Sequence, residues 1–159
     1  MEHEGRRIFA NVPIMKQVAV MDREKRALLA PWPLKGVEGN TPIGLDEAHR
    51  RLFVGARQPA QLVVLDTLTG KRVAKVAIDG VADDLFYDPI RQRIYISCGD
   101  GFIDVVEQQD ADHYRRLARV PTVAHAATSA FSASLNRFYL GVPRRGIEPA
   151  EIRVFKIGN

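Results

Sequence analysis

The paired carboxylates Asp83-Asp84 hold the greatest chemical potential in this chain, because two adjacent acids can bind a cation or a polar ligand. A recurring arginine, described below, sets the register. It places Asp84 level with Pro42 and Thr128, and Asp83 level with Thr41 and Ala127. Thr41, Asp83, Asp84 and Thr128 are therefore expected along one polar rim. The simpler reading of the acid pair is structural, since Asp side chains in turns cap neighbouring backbone N–H groups. His125, just before Ala126-Ala127-Thr128-Ser129, is expected at the same rim. It has no Cys, His or carboxylate at ligand spacing, so it reads first as a hydrogen-bonded loop residue rather than a zinc ligand.

Other polar residues carry less. Asp110-Ala111-Asp112-His113 gathers three potential ligands but lacks the Gly and the distal Glu of a calcium loop, so an exposed polar turn is the plainer account. His49 with Glu47 reads as an ordinary turn, and His3 as part of a frayed terminus. Cys98 ends an apolar run and reads as a small buried filler, because a nucleophilic thiol needs a base beside it. The chain has no Gly-x-Ser-x-Gly elbow, no Gly-x-Gly-x-x-Gly after a strand and no phosphate loop, so common catalytic signatures are absent. No catalytic residue, metal ligand or cofactor is assigned from the sequence.

Strands are what must position these residues. Arg7, Arg51, Arg93 and Arg137 lie 44, 42 and 44 residues apart, each followed by bulky apolar residues: Ile8-Phe9-Ala10, Leu52-Phe53-Val54, Ile94-Tyr95-Ile96 and Phe138-Tyr139-Leu140. A second β-rich run follows each, at Val18–Asp22, Leu62–Asp66, Phe102–Val106 and Ile152–Phe155. These middle runs are apolar on successive residues, which in a strand means cover on both faces. Val64 is thus expected between two sheets. The turn Asp66-Thr67-Leu68-Thr69-Gly70 leads to the alternating run Arg72–Val76, an outer, partly solvated strand. A further short strand precedes each Arg from the second module on, with small and polar residues suited to an inner rim.

Four short strands per period of about 43 residues is the arithmetic of a β-propeller blade. Helical repeats fail, since apolar residues do not recur at helical spacing and nine prolines punctuate the chain. A β-sandwich is the remaining rival, and the regular Arg spacing argues against it. The fold expected is all-β: a single array over residues 1–159 of four-stranded antiparallel blades, about three and a half modules at 7–34, 39–78, 81–120 and 124–158. Trp32, between Pro31 and Pro33, is expected in an inter-blade loop, packing across the interface.

Composition narrows the partners. The net charge of +4 comes from 23 basic residues scattered as short pairs, without the clustering of a nucleic-acid footprint, so no nucleic-acid partner is expected. No run approaches 18 apolar residues, so no membrane-spanning helix is read. Residues 1–20 show no signal peptide, which as the chain stands points to the cytoplasm. One cysteine excludes an internal disulfide.

The stretch "RRLFVGARQPAQLVVLDTLTGKRVAKV" resembles the YVTN-type β-propeller repeat, with its strand, short loop, "VxVxDxxTGK" hairpin and outgoing strand. The resemblance covers about residues 7 to 158. Complete members are similar to closed rings of about seven blades and are often exported, which makes this chain look like the second half of such a ring. It departs from the pattern in the shortened loop Gly99-Asp100-Gly101 and the longer one at 143–149. The resemblance is specific for blade architecture and says little of function, and the repeat with the missing catalytic motifs points to a non-enzymatic binding scaffold for a protein or small-molecule ligand. The alternative it implies is a lactonase-like hydrolase with Asp83, Asp84 and His125 at the channel, and a structural relic without independent function is a third reading. Modules of three, four, four and three strands would leave the array open unless four blades closed a ring. Self-association, or a partner supplying missing blades, is therefore expected.

Overall fold

The computed structural model describes residues 1–158, and among these the regular structure is almost entirely strand. The first sheet holds β1 (Arg7–Val12), β2 (Gln17–Asp22) and β3 (Ala27–Pro33). The second holds β4 (Ile43–Asp46), β5 (Arg51–Arg57), β6 (Ala60–Asp66) and β7 (Arg72–Ala77). The third holds β8 (Ala82–Asp88), β9 (Arg93–Cys98), β10 (Phe102–Gln108) and β11 (Tyr114–Pro121). The fourth holds β12 (Ser129–Ser132), β13 (Arg137–Val142) and β14 (Glu151–Lys156). Every sheet is an antiparallel meander in chain order, numbered here blade 1 to blade 4.

The blades stack through their faces. Phe9, Val18 and Val20 of blade 1 share a core with Leu52, Val54, Val63 and Leu65 of blade 2. Phe53, Leu62 and Val64 on the other face of blade 2 meet Leu85, Ile94, Ile96 and Val106 of blade 3. Tyr95 and Ile103 of blade 3 meet Phe138, Leu140 and Val142 of blade 4. Among the described residues there are three such cores for four sheets, where a closed ring of four would need a fourth joining blade 1 to blade 4. The array is an open arc.

Turn chemistry sets the register within each blade. Asp66 Oδ1 accepts hydrogen bonds from the Leu68 and Thr69 amides at 3.1 and 2.9 Å and from the Thr69 hydroxyl at 2.9 Å. Asp22 caps Glu24 and Lys25 in the same way. Gly70 closes the turn at φ +69, and a Cβ there would come within 2.5 Å of the Trp32 ring. Trp32 lies in β3 rather than in a loop, packed on Phe9 with ring centroids 5.4 Å apart. Its flanking prolines fit because β3 is an edge strand with no further partner to supply.

A device absent from the sequence reading recurs at each outer strand. The pairing shifts by one residue between Val20 and Met21, between Val64 and Leu65, and between Val105 and Val106. Each bulge leaves one apolar residue, Leu29, Val73 or Leu117, unpaired and exposed. Outer strands thereby twist away from the stack.

The repeat arginine does more than mark register. Arg7 donates to the Thr67 carbonyl, in the turn of blade 2. Arg51 Nε donates to the Ala111 carbonyl of blade 3 at 2.8 Å, and its Nη2 meets Asp112 at 2.7 Å. Arg93 Nη1 donates to the Gly158 carbonyl beyond β14 at 3.0 Å. Each of these three arginines ties its own blade to the next. The N-terminal residues are held too: His3, Glu4 and Gly5 donate their amides to the Glu47 carboxylate, which lowers its pKa, and Glu2 pairs with Arg7. His3 is thus anchored by its backbone, not frayed.

Val64 is fully buried between blades 2 and 3. Val64→Asp would leave an unpaired carboxylate there, a penalty of several kcal/mol against a total stability of roughly 5–15 kcal/mol. We expect that variant not to fold, whereas Val73→Asp, at an exposed bulge, should melt within a few degrees of the wild type. Thermal unfolding followed by circular dichroism checks both; an unchanged melting temperature for Val64→Asp would contradict the blade register.

Candidate functional site

The five rim residues expected from the sequence each have a partner, and among the described residues no hydrogen bond or ion pair joins any two of them. Asp83 sits in a bulge of β8, between the pairs Ala82–Cys98 and Asp84–Ser97. Its carboxylate takes a hydrogen bond from Arg57 Nη2 of blade 2 at 2.9 Å, while Arg57 Nε donates to the Ala82 carbonyl at 3.3 Å. Asp84 Oδ2 accepts the Ser129 amide of blade 4 at 2.6 Å, beside a 2.5 Å contact between the Ser97 and Ser129 hydroxyls. Thr41 and Thr128 lie just before β4 and β12 rather than in them, and both are exposed. Thr41 accepts Asn11 Nδ2 of blade 1 on its carbonyl at 3.0 Å, and the Thr128 carbonyl accepts the Gly141 amide at 2.9 Å. His125 is exposed at φ +69, and its amide donates to the Gly99 carbonyl at 2.7 Å.

Together these contacts run along the arc. Asn11 to Thr41, Arg57 to Asp83, and Asp84 to Ser129 each join one blade to the next. The inner edge is thus stitched by polar groups at each of the three blade junctions.

A second cluster was not legible as a site. Asp104, fully buried in β10, accepts the Asp79 amide at 2.6 Å and faces Arg116 Nε at 3.1 Å. Asp79 itself is gripped by Arg119 through two bonds of 2.8 Å, and the Arg119 guanidinium lies 3.3 Å above the centre of the Phe102 ring. These groups clamp the connection from blade 2 to blade 3 against the outer strand of blade 3. Burial pushes the Asp104 carboxyl above its ordinary value despite the Asp79 amide and Arg116. The Arg119 guanidinium holds Asp79 below its own. Cys98 Sγ sits 3.7 Å from Asp104, and burial followed by that carboxylate drives the thiol far up, so it stays protonated and unreactive at neutral pH. One acid inside the apolar run Phe102–Val106 was the signal for this cluster.

Between blades 2 and 3, on the turn side, Gln108 is nearly inaccessible and donates to Asp46 at 2.9 Å and to the Tyr114 hydroxyl at 3.1 Å, while accepting from Tyr87 at 2.5 Å. His49 Nδ1 contacts the same Asp46 at 2.7 Å. Asp110 caps Asp112 and His113 of its own turn, and Asp112 takes Arg51, so that acidic turn serves the blade tie. No group of three or more His, Cys, Asp or Glu side chains gathers around a common point among the described residues. An open cleft of about 680 Å³ lies between Met15, Lys16, Leu34, Val37, Gln58 and Pro59, and none of the five rim residues lines it. Among the described residues no helix is long and apolar enough to cross a membrane.

The arc is a run of β-propeller blades, and solved structures share it. The chain superposes on Kuenenia stuttgartiensis hydrazine synthase with a TM-score of 0.83 at 11% identity, covering 96% of this chain and 43% of that one. It matches a chain of a mitotic checkpoint complex at 0.75 and 14% identity, covering 94% and 45%. It matches the dihydro-heme d1 dehydrogenase NirN in complex with DHE at 0.68 and 13% identity, covering 98% and 34%. The chain spans less than half the length of each, and at such identities the likeness shows the fold alone. No family model and no curated protein matches the sequence.

Asp79 provides a test of the clamp. Its folded pKa lies below the ordinary 3.8, so the stability it contributes is present above that value and lost as pH falls through the lower folded one. Asp79→Asn should cost about 1 kcal/mol at neutral pH, since Arg119 is half exposed and screened. The gap to wild type should narrow in acid below 3.8. Urea unfolding at both pH values reads this directly; an equal gap at both would contradict the pair.

Proposed function

We propose that the chain is a non-enzymatic binding scaffold built of YVTN-type repeats, whose loops present a surface to a protein or small-molecule ligand. The observation that carries this reading is the occupation of the rim: Asp83 and Asp84 are engaged by Arg57 and by the Ser129 amide, across two different blade junctions. A lactonase-like reading needs these acids and His125 to converge on one ligand. Their partners instead draw Asp83 toward blade 2 and Asp84 toward blade 4. The cleft lined by Leu34, Lys35 and Val37 offers a ligand room between connecting loops. The solved structures of similar fold carry titles of enzymes and of a protein assembly, so the fold permits both classes.

Elemental analysis of the purified protein together with turnover of simple lactones tests the proposal. We expect no stoichiometric metal and no turnover above buffer, and we expect Asp83→Asn and Asp84→Asn to lower the melting temperature by loosening blade junctions. Lactone turnover that disappears in Asp84→Asn and His125→Ala, with folding intact, would replace the scaffold by the hydrolase.

A further inference from the structure

Residue positions in the repeat specify which neighbour they face. The first residue after each repeat arginine packs toward the preceding blade: Leu52 against blade 1, Ile94 against blade 2, Phe138 against blade 3. The second packs toward the following blade: Phe9 against blade 2, Phe53 against blade 3, Tyr95 against blade 4. Among the described residues, two members of this series have no blade opposite. Ile8 stands on the open face of blade 1, in register with Met21 and through it with Leu28, which is 62% exposed. Tyr139 stands on the open face of blade 4, in register with Val154, 55% exposed, beside Ile152, 71% exposed. Both open faces are thus composed like the faces that are buried inside the arc.

The arginine tie is left half-made at the same two places. Among the described residues no blade follows that of Arg137, which turns back on the carbonyls of Leu135 and Asn136 in its own turn. Blade 1 offers the matching receiver. The Asp22 turn repeats the Asp66 turn, and the Arg23 amide bonds to the Arg6 carbonyl as the Thr67 amide bonds to that of Arg50. The Arg23 carbonyl therefore corresponds to the Thr67 carbonyl that takes Arg7, and among the described residues nothing donates to it.

We propose that these two faces bind each other in trans: blade 4 of one copy packs on blade 1 of a second, twice, so that two arcs close a single ring of eight blades. A second copy is the occupant because one chain carries both halves of the contact, and the new junction continues the geometry of the three already present. Such a head-to-tail contact closes by a twofold rotation when the two arcs are equal. Arg137 then donates to the partner's Arg23 carbonyl, and Tyr139 and Val154 are covered by the row of Ile8, Met21 and Leu28.

Light scattering coupled to size exclusion tests this at micromolar concentration. Wild type should run at twice the 17.8 kDa chain mass. Val154→Asp and Leu28→Asp each change an exposed side chain of a single blade face, so both should halve the mass and still melt cooperatively. Mixed at high micromolar concentration, these two variants should associate, because one junction between intact faces is restored. Arg137→Ala removes one hydrogen bond to a charged group from each of the two junctions and should weaken the dimer about a hundredfold, roughly tenfold per bond. A wild-type monomer, a dimer that survives either Asp substitution, or a mixture that stays monomeric overturns the proposal; a larger open assembly overturns ring closure.

Discussion

A strand apolar on successive residues, such as Leu62–Leu65, needs a layer against each of its faces, so it cannot belong to a sheet with one side in water. That demand organises the whole arc. Blades 2 and 3 satisfy it on both sides, and their middle strands are buried nearly end to end. The apolar stack is slippery by itself, because Leu, Val and Ile faces accept many offsets. The repeat arginine removes that freedom by reaching a backbone carbonyl in the next blade, a contact with one geometry. Packing supplies the stability, and the arginine supplies the register between blades.

Buried polar groups add to specificity at some energetic cost. A lone ionised Asp104 would be several kcal/mol unfavourable in its apolar strand, and the Asp79 amide with Arg116 offsets that penalty. The result is a connection between blades 2 and 3 held in one place. Gln108 does similar work on the turn side, where its two donated bonds and one accepted bond span two blades. Removing one member of either cluster leaves the others unsatisfied, which is why these groups act together rather than as independent bonds.

Much of the fold was legible, because strand period and repeat length are local signals. The four arginines located the first strand of blade 1 and the second strand of blades 2 to 4, and the Asp66–Gly70 turn announced the outer one. The count of three, four, four and three strands followed from the same alignment. What lay beyond reading were contacts in which one partner is a backbone carbonyl or amide, since those carry no residue signature. Arg51 to the Ala111 carbonyl and Asp84 to the Ser129 amide join positions 60 and 45 residues apart. The acids of the rim were found as residues, while their engagement with Arg57 and Ser129 was not. Trp32 was misplaced because Pro31 and Pro33 suggest a loop, although an edge strand tolerates both.

The claim that blade order rests on the arginine tie is tested most directly by a double-mutant cycle across one junction. Arg51→Met, Asp112→Asn and the double variant would be unfolded in urea alongside wild type. Arg51 is almost fully buried and its Nη2 lies 2.7 Å from Asp112 of the next blade, so the pair should couple by about 0.5–3 kcal/mol. Additive losses, together with an Arg51→Met loss no larger than that of an exposed substitution, would mean that apolar packing alone sets the register and would contradict the account.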